Sequence, residues 1–83
     1  MAKSIYTPAY RRLCRLLVTA RQQASLTQEE VASQLGKPQS FVSKVEIGER
    51  RLDVVEFLEL CHALDIDPVS SVEEINRVFL PLD

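Results

Sequence analysis

The stretch Leu26-Thr27-Gln28-Glu29-Glu30-Val31-Ala32-Ser33-Gln34-Leu35-Gly36-Lys37-Pro38-Gln39-Ser40-Phe41-Val42-Ser43-Lys44-Val45-Glu46-Ile47-Gly48 decides the fold. Thr27 and Glu30 make a capping box: the hydroxyl takes the Glu30 amide, and the Glu30 carboxylate reaches back to the Thr27 amide. A helix therefore starts here. Val31, Ala32 and Leu35 follow at the spacing of one buried helical face. Gly36 stops the helix, because a left-handed residue closes helix ends and glycine adopts that conformation at least cost. Only Lys37-Pro38 separates Gly36 from another helix, about Gln39–Ile47, with Val42 and Val45 facing inward and Gly48 as its stop. Two short helices joined by a tight turn have the spacing of a helix-turn-helix, in which one helix braces across the DNA backbone and the next enters the major groove.

Upstream, Thr7-Pro8 reads as an N-cap followed by proline at the first helical position. Leu13, Leu16, Leu17, Ala20 and Ala24 then keep to one face until Ser25-Leu26 ends that first helix. Downstream, the loop Glu49-Arg50-Arg51-Leu52 leads to a second capping box, Asp53-Val54-Val55-Glu56. The fourth helix is expected to bury Val55, Leu58, Cys61 and Leu64, with Phe57 and Leu60 on an adjoining strip. Asp65-Ile66-Asp67-Pro68 breaks the pattern. A fifth helix follows, starting at Pro68 or at Ser71, where Ser71 and Glu74 offer a third capping box. It runs to about Phe79, and Pro81 ends it. The expected fold class is all-α: one domain over residues 1–83, a compact bundle of five short helices, with the helix-turn-helix at helices two and three.

Composition narrows the function. With 83 residues, of which 46% are hydrophobic, the chain has material for one small core. No apolar run approaches the roughly 18 residues of a membrane span. The N-terminus shows no signal-peptide segment, so the expected location is the cytoplasm, where Cys14 and Cys61 stay reduced and read as small core hydrophobes. The net charge of −2 conceals a split. Residues 1–51 carry nine Lys/Arg against four Glu, a net of +5, and residues 52–83 carry Arg77 alone against eight acids, a net of −7. Such a chain can turn a basic face to an anion while its acidic half faces away.

Catalytic and metal chemistry find no footing. The single histidine, His62, has no partner at metal-ligand spacing, and Gly36 and Gly48 are isolated helix stops rather than a phosphate-binding loop. Ser40 and Ser43 have no base near them in sequence. No enzyme activity, metal or cofactor is expected. On residue types alone, a polar face such as Gln39-Ser40-Ser43-Lys44 is more often plainly solvated than a reader of DNA.

The residues Leu26 to Ala32, then Leu35-Gly36, then Gln39 to Glu46, then Gly48-Glu49-Arg50-Arg51 resemble the Cro/C1-type (XRE) helix-turn-helix family. The resemblance extends through Leu52–Ile66 and covers roughly residues 9–70. It implies a lambda-repressor-like fold and sequence-specific binding of double-stranded DNA by a small bacterial or phage-type transcriptional regulator, with repression as the expected sign. Gln39, Ser40, Ser43 and Lys44 fall where the family's recognition helix points at base edges. Their chemistry suits that role: glutamine can pair with adenine, lysine reaches guanine acceptors, and serine bonds either. Gln28 matches a position that contacts phosphate and braces the recognition-helix glutamine. Lys37, Arg50 and Arg51 are the further phosphate candidates. Arg21 and Glu46 match a partly buried ion pair that ties the first helix to the third. Arg11, Arg12 and Arg15 match no contact motif and read as a solvated face.

Two positions depart from the family pattern. Pro38 stands where a Ser or Thr cap is common, and Ile47 stands where Asn often precedes the glycine. The chain ends about a dozen residues past the family core, so regulation is expected through concentration, dimerisation or a partner protein. Residues 68–83 supply a candidate dimerisation element in Val72, Ile75, Phe79, Leu80 and Leu82, whose alternative is to pack on the chain's own core beneath Phe57 and Leu60. The alternative function is an antitoxin that binds a toxin partner and represses its own operator.

Overall fold

The computed structural model describes residues 7–81. Five helices follow one another: α1 (Pro8–Gln23), α2 (Gln28–Leu35), α3 (Gln39–Glu46), α4 (Val54–Leu64) and α5 (Pro68–Asn76), the last continued by a 3₁₀ turn, Arg77–Phe79. No strand occurs among the described residues. Leu82 of the candidate dimerisation element lies outside them.

The helix starts follow the capping chemistry. Thr7 Oγ1 accepts from the Tyr10 amide at 3.2 Å. Thr27 and Glu30 bond reciprocally at 3.0 and 2.8 Å, and Asp53 and Glu56 do the same at 2.7 and 3.0 Å. Helix α3 begins at Pro38 with no side-chain cap. For α5 the start is Pro68: Asp67 caps it by accepting from the Val69 amide at 3.1 Å. The Ser71 hydroxyl donates to the Asp67 carbonyl at 2.8 Å from inside the helix, so it caps nothing.

Helices α1 to α4 all end in the same motif, a left-handed residue followed by an amide that reaches back to the carbonyl five residues earlier. Lys37 N–H donates to Ala32 O at 3.0 Å past Gly36, and Glu49 N–H to Lys44 O at 2.9 Å past Gly48. The two other stops are not glycines. Ser25 and Asp65 hold φ of +59° and +58°, with Leu26 N–H on Arg21 O at 3.1 Å and Ile66 N–H on Cys61 O at 3.0 Å.

One contiguous core cluster takes two buried residues from each of the first four helices, Leu17 and Ala20, Val31 and Ala32, Val42 and Val45, Leu60 and Leu64, while Tyr10 of α1 and Cys61 of α4 are buried outside it. Against the expectation for α4, Val55 and Leu58 are exposed, and the buried face is Leu60, Cys61 and Leu64 with Phe57 half-buried beside them. The reason is helical drift. Steps of three residues fall short of a turn, so over the nine residues from Val55 to Leu64 the direction rotates by about 180°. Phe57, Leu60, Cys61 and Leu64 stay within one narrow stripe. Cys61 is fully buried and Cys14 half-buried, its thiol donating to Val45 O at 3.5 Å. Burial pushes both thiols above their ordinary range, so they act as packing groups. Helix α5 packs on α1 and buries only Ser71.

Candidate nucleic-acid interface

Helix α3 is held from behind. Val42 and Val45 anchor it in the core, and the Gly36 stop fixes the angle at which it leaves α2. With those two valines inward, Gln39, Ser40, Ser43 and Lys44 occupy an arc of about 140° on the other side. Gln39, Ser40 and Lys44 are exposed and Ser43 is half-buried. The four base-reading candidates therefore share one outward face.

A chain of side-chain hydrogen bonds runs behind that face. Gln39 Nε2 donates to Gln28 Oε1 at 2.6 Å, and Gln28 Nε2 donates to Glu46 Oε1 at 2.8 Å. Glu46 also receives the Arg21 guanidinium in a two-point grip, Nε to Oε2 at 2.6 Å and Nη2 to Oε1 at 3.2 Å. The remaining end of Arg21 donates to the Leu26 carbonyl at 2.9 Å. Arg21 and Glu46 retain only 16% and 8% of side-chain exposure, so this pair is shielded from solvent screening. The structure thus brings Arg21 and Glu46 together across α1 and α3, and it links Gln28 and Gln39 to them.

The phosphate candidates surround the face on aromatic supports. Lys37 Nζ and the Arg50 guanidinium each lie 5.3 Å from the centre of the Phe41 ring, and Arg51 stacks over Tyr10 at 4.4 Å. Such cation–π contacts hold long basic side chains in place without neutralising them. Burial raises the Tyr10 phenol above its ordinary value, against the opposing pull of the Leu52 backbone and the two arginines, so the ring stays neutral. Arg50 is also held by a carboxylate. Its guanidinium bonds the Glu56 carboxylate at 2.6 and 3.3 Å and also donates to the Arg51 carbonyl. A phosphate at Arg50 would share it with Glu56, whereas Gln28 is half-buried within the hydrogen-bond chain and keeps one N–H uncommitted.

Sequence reading had no place for Phe41, Tyr10 and Glu56 in this interface. The Lys37–Phe41 pair is visible as a spacing of four, but Arg51 on Tyr10 and Arg50 on Phe41 join residues far apart along the chain. Among the described residues no group of His, Cys, Asp and Glu is placed to hold a metal ion, and His62 is exposed on α4. Of the helices among the described residues, none is long and apolar enough to cross a membrane.

A helix-turn-helix family model matches residues 17–70 of the chain, a span that contains α2, the Gly36 turn and α3. This chain belongs to the XRE/Cro-C1-type helix-turn-helix family. The matched span starts later than the resemblance over residues 9–70 suggests, leaving the first half of α1 outside it. An XRE-family like protein from Pseudomonas syringae pv. tomato is similar over 95% of each chain, with 44% identity and a TM-score of 0.84. The restriction-modification controller protein C.AhdI from Aeromonas hydrophila is 36% identical, covering 71% of this chain and 86% of its own, at a TM-score of 0.66. The clp gene regulator ClgR from C. glutamicum shares the fold at 18% identity, with a TM-score of 0.77 over 92% of this chain and 99% of its own. A comparison with curated protein sequences yields no match. The XRE-family assignment makes the chain a DNA-binding transcription regulator rather than an enzyme.

Proposed function

We propose that this XRE-family protein binds double-stranded DNA sequence-specifically, with α3 in the major groove, and acts in the cytoplasm as a small repressor. The outward face of α3 carries this reading. Gln39, Ser40, Ser43 and Lys44 supply donors and acceptors suited to base edges, and Lys37, Arg50 and Arg51 rim them with positive charge. Base contacts specify while phosphate contacts position, and in this reading the α3 face supplies the first and the basic rim the second. Occupancy of an operator suffices to exclude other proteins from the same DNA, which favours repression over activation.

A homodimer completes the reading. One recognition helix spans only a few base pairs, and two copies on half-sites about 34 Å apart supply a useful specificity ratio. Val72, Phe79 and Leu80 are exposed, and Ile75 is half-buried. Val72, Ile75 and Phe57 line an open apolar groove of about 480 Å³, which Val54 and Leu58 extend along α4 and Val69 along α5. An apolar surface of this kind is suited to a second copy of the chain.

Selection of bound duplexes from a random-sequence pool tests the specificity. Gln39→Ala or Lys44→Ala is expected to cost roughly 1–3 kcal/mol on the selected site and much less on random DNA. Lys37→Ala is expected to weaken binding to all sequences and to flatten the logarithmic salt dependence by about one unit. Equal losses for Gln39→Ala on selected and random DNA would make it a positioning residue and overturn its part in base reading.

A further inference from the structure

We propose that Glu46, gripped by Arg21, sets the polarity of the hydrogen-bond chain and thereby which groups of the Gln39 amide are offered to DNA. The proposal rests on the reading that α3 contacts bases.

Each link dictates the next. A guanidinium only donates and an ionised carboxylate only accepts. Arg21 holds both Glu46 oxygens at 2.6 and 3.2 Å and is itself pinned by the Leu26 carbonyl, so the carboxylate cannot rotate away. Gln28, at 2.8 Å from Glu46, must turn its amide nitrogen to the carboxylate, since the reversed amide would set carbonyl oxygen against carboxylate oxygen. Gln28 Oε1 is then the group that faces Gln39, and Gln39 must donate to it, as the 2.6 Å contact from Gln39 Nε2 records. What Gln39 keeps for a ligand is one N–H and its whole Oε1, side by side on the exposed face of α3. That donor–acceptor pair complements adenine, which shows N7 as acceptor and the N6 amino group as donor in the major groove. Guanine shows acceptors only at that edge. Glu46 and Arg21 are thus positioning residues for specificity, although neither is placed to touch DNA.

The full chain is used to select duplexes from a random-sequence pool, and binding is then titrated on duplexes that differ at one base pair. The pair whose preference disappears in Gln39→Ala is the one Gln39 reads. The expected base there is adenine, with a preference in the range of roughly 5- to 150-fold that a bidentate contact provides. Gln28→Leu breaks the chain while leaving the Arg21–Glu46 pair intact. Glu46→Gln keeps the shape but can donate or accept, so it no longer enforces one polarity. Both are expected to lose at least about threefold of the adenine preference at that pair and to leave the preferences at other pairs unchanged. A purely structural role would lower affinity at all sites and leave the ratio untouched. If Glu46→Gln does not fold, the double variant Arg21→Met with Glu46→Leu replaces it with the same expected loss, because no carboxylate is then left to accept from Gln28. Full retention of the preference in Glu46→Gln, or in the double variant where it stands in, overturns the proposal, as does guanine at the Gln39 pair. If instead Gln39→Ala alters no pair, base reading by Gln39 is what fails.

Discussion

At Glu46 the chain concentrates both a structural and a functional demand on one carboxylate. Its side chain accepts from Arg21 and from Gln28 while nearly removed from solvent. Glu46→Ala leaves a largely buried guanidinium with only the Leu26 carbonyl, and is expected to destabilise by about 3 kcal/mol in urea unfolding. The double variant Arg21→Met with Glu46→Leu is expected to lose less than the single one, because no buried charge is then left unpaired. Ser25 shows the opposite situation, a residue at odds with its own backbone. Its φ of +59° lies in the left-handed region that costs an L side chain roughly 1 kcal/mol, and glycine escapes that cost. Ser25→Gly is expected to raise stability by about 0.5 kcal/mol once the greater freedom of glycine in the unfolded chain is set against it. A lowered urea midpoint for Ser25→Gly would show that the Ser25 side chain contributes something the backbone does not reveal.

Among the elements, the start of α4 ties stability to pH. The Asp53 amide, and after it the Arg50 guanidinium, hold the Glu56 carboxyl below its ordinary value of 4.5. A carboxyl with a lowered folded pKa favours the folded state when ionised, so its contribution is full above about 4.5. It is lost as pH falls toward and through the lower folded value. Glu56→Gln is expected to flatten the acid limb of the stability profile in that window, and an unchanged acid limb would show that the capping box does not hold Glu56 ionised. The same substitution releases Arg50, which then has no carboxylate to share with a phosphate. Helix α3 is an element of a different kind: it has no side-chain cap and depends on Val42, Val45 and the two glycine stops for its position. Its rigidity comes from tertiary packing rather than from its own ends.

For the whole molecule, charge and apolar surface are segregated. The first 51 positions hold every phosphate candidate and nine of the ten basic residues, and the acids gather in the last 32, where α4 and α5 lie. A dimer formed through the apolar groove would turn that acidic half away from DNA and set two copies of α3 toward it. Sedimentation at micromolar concentration is expected to show a dimer, and Val72→Glu is expected to shift it to monomer with little change in helical content, because Val72 is 53% exposed in the single chain. Binding of Val72→Glu to a palindrome should fall to the level of a half-site. A wild-type monomer that binds a half-site as tightly as a palindrome would end the dimer reading.

The local signals were legible along the chain because they act over three to five residues. Thr27 with Glu30, Asp53 with Glu56, and Gly36 and Gly48 determined where helices begin and end, and the spacing of Val31, Ala32, Val42 and Val45 determined which faces turn inward. The pairing of Arg21 with Glu46 was suggested only by family resemblance, since nothing in a separation of 25 residues points to it. Other features were decided by tertiary structure alone. The buried face of α4 depended on which of two overlapping apolar stripes met α2, and helical rotation favoured Phe57, Leu60 and Leu64 over Val55 and Leu58. Ser25 and Asp65 became left-handed stops without the glycine that would announce them, because the chain must turn there to pack the next helix. The seats of Lys37, Arg50 and Arg51 on Phe41 and Tyr10, and the polarity of the Gln39 amide, depend on side chains from separate elements meeting in space. Capping and periodicity are local energies and can be read in order, whereas contacts between distant residues exist only once the core has brought the helices together.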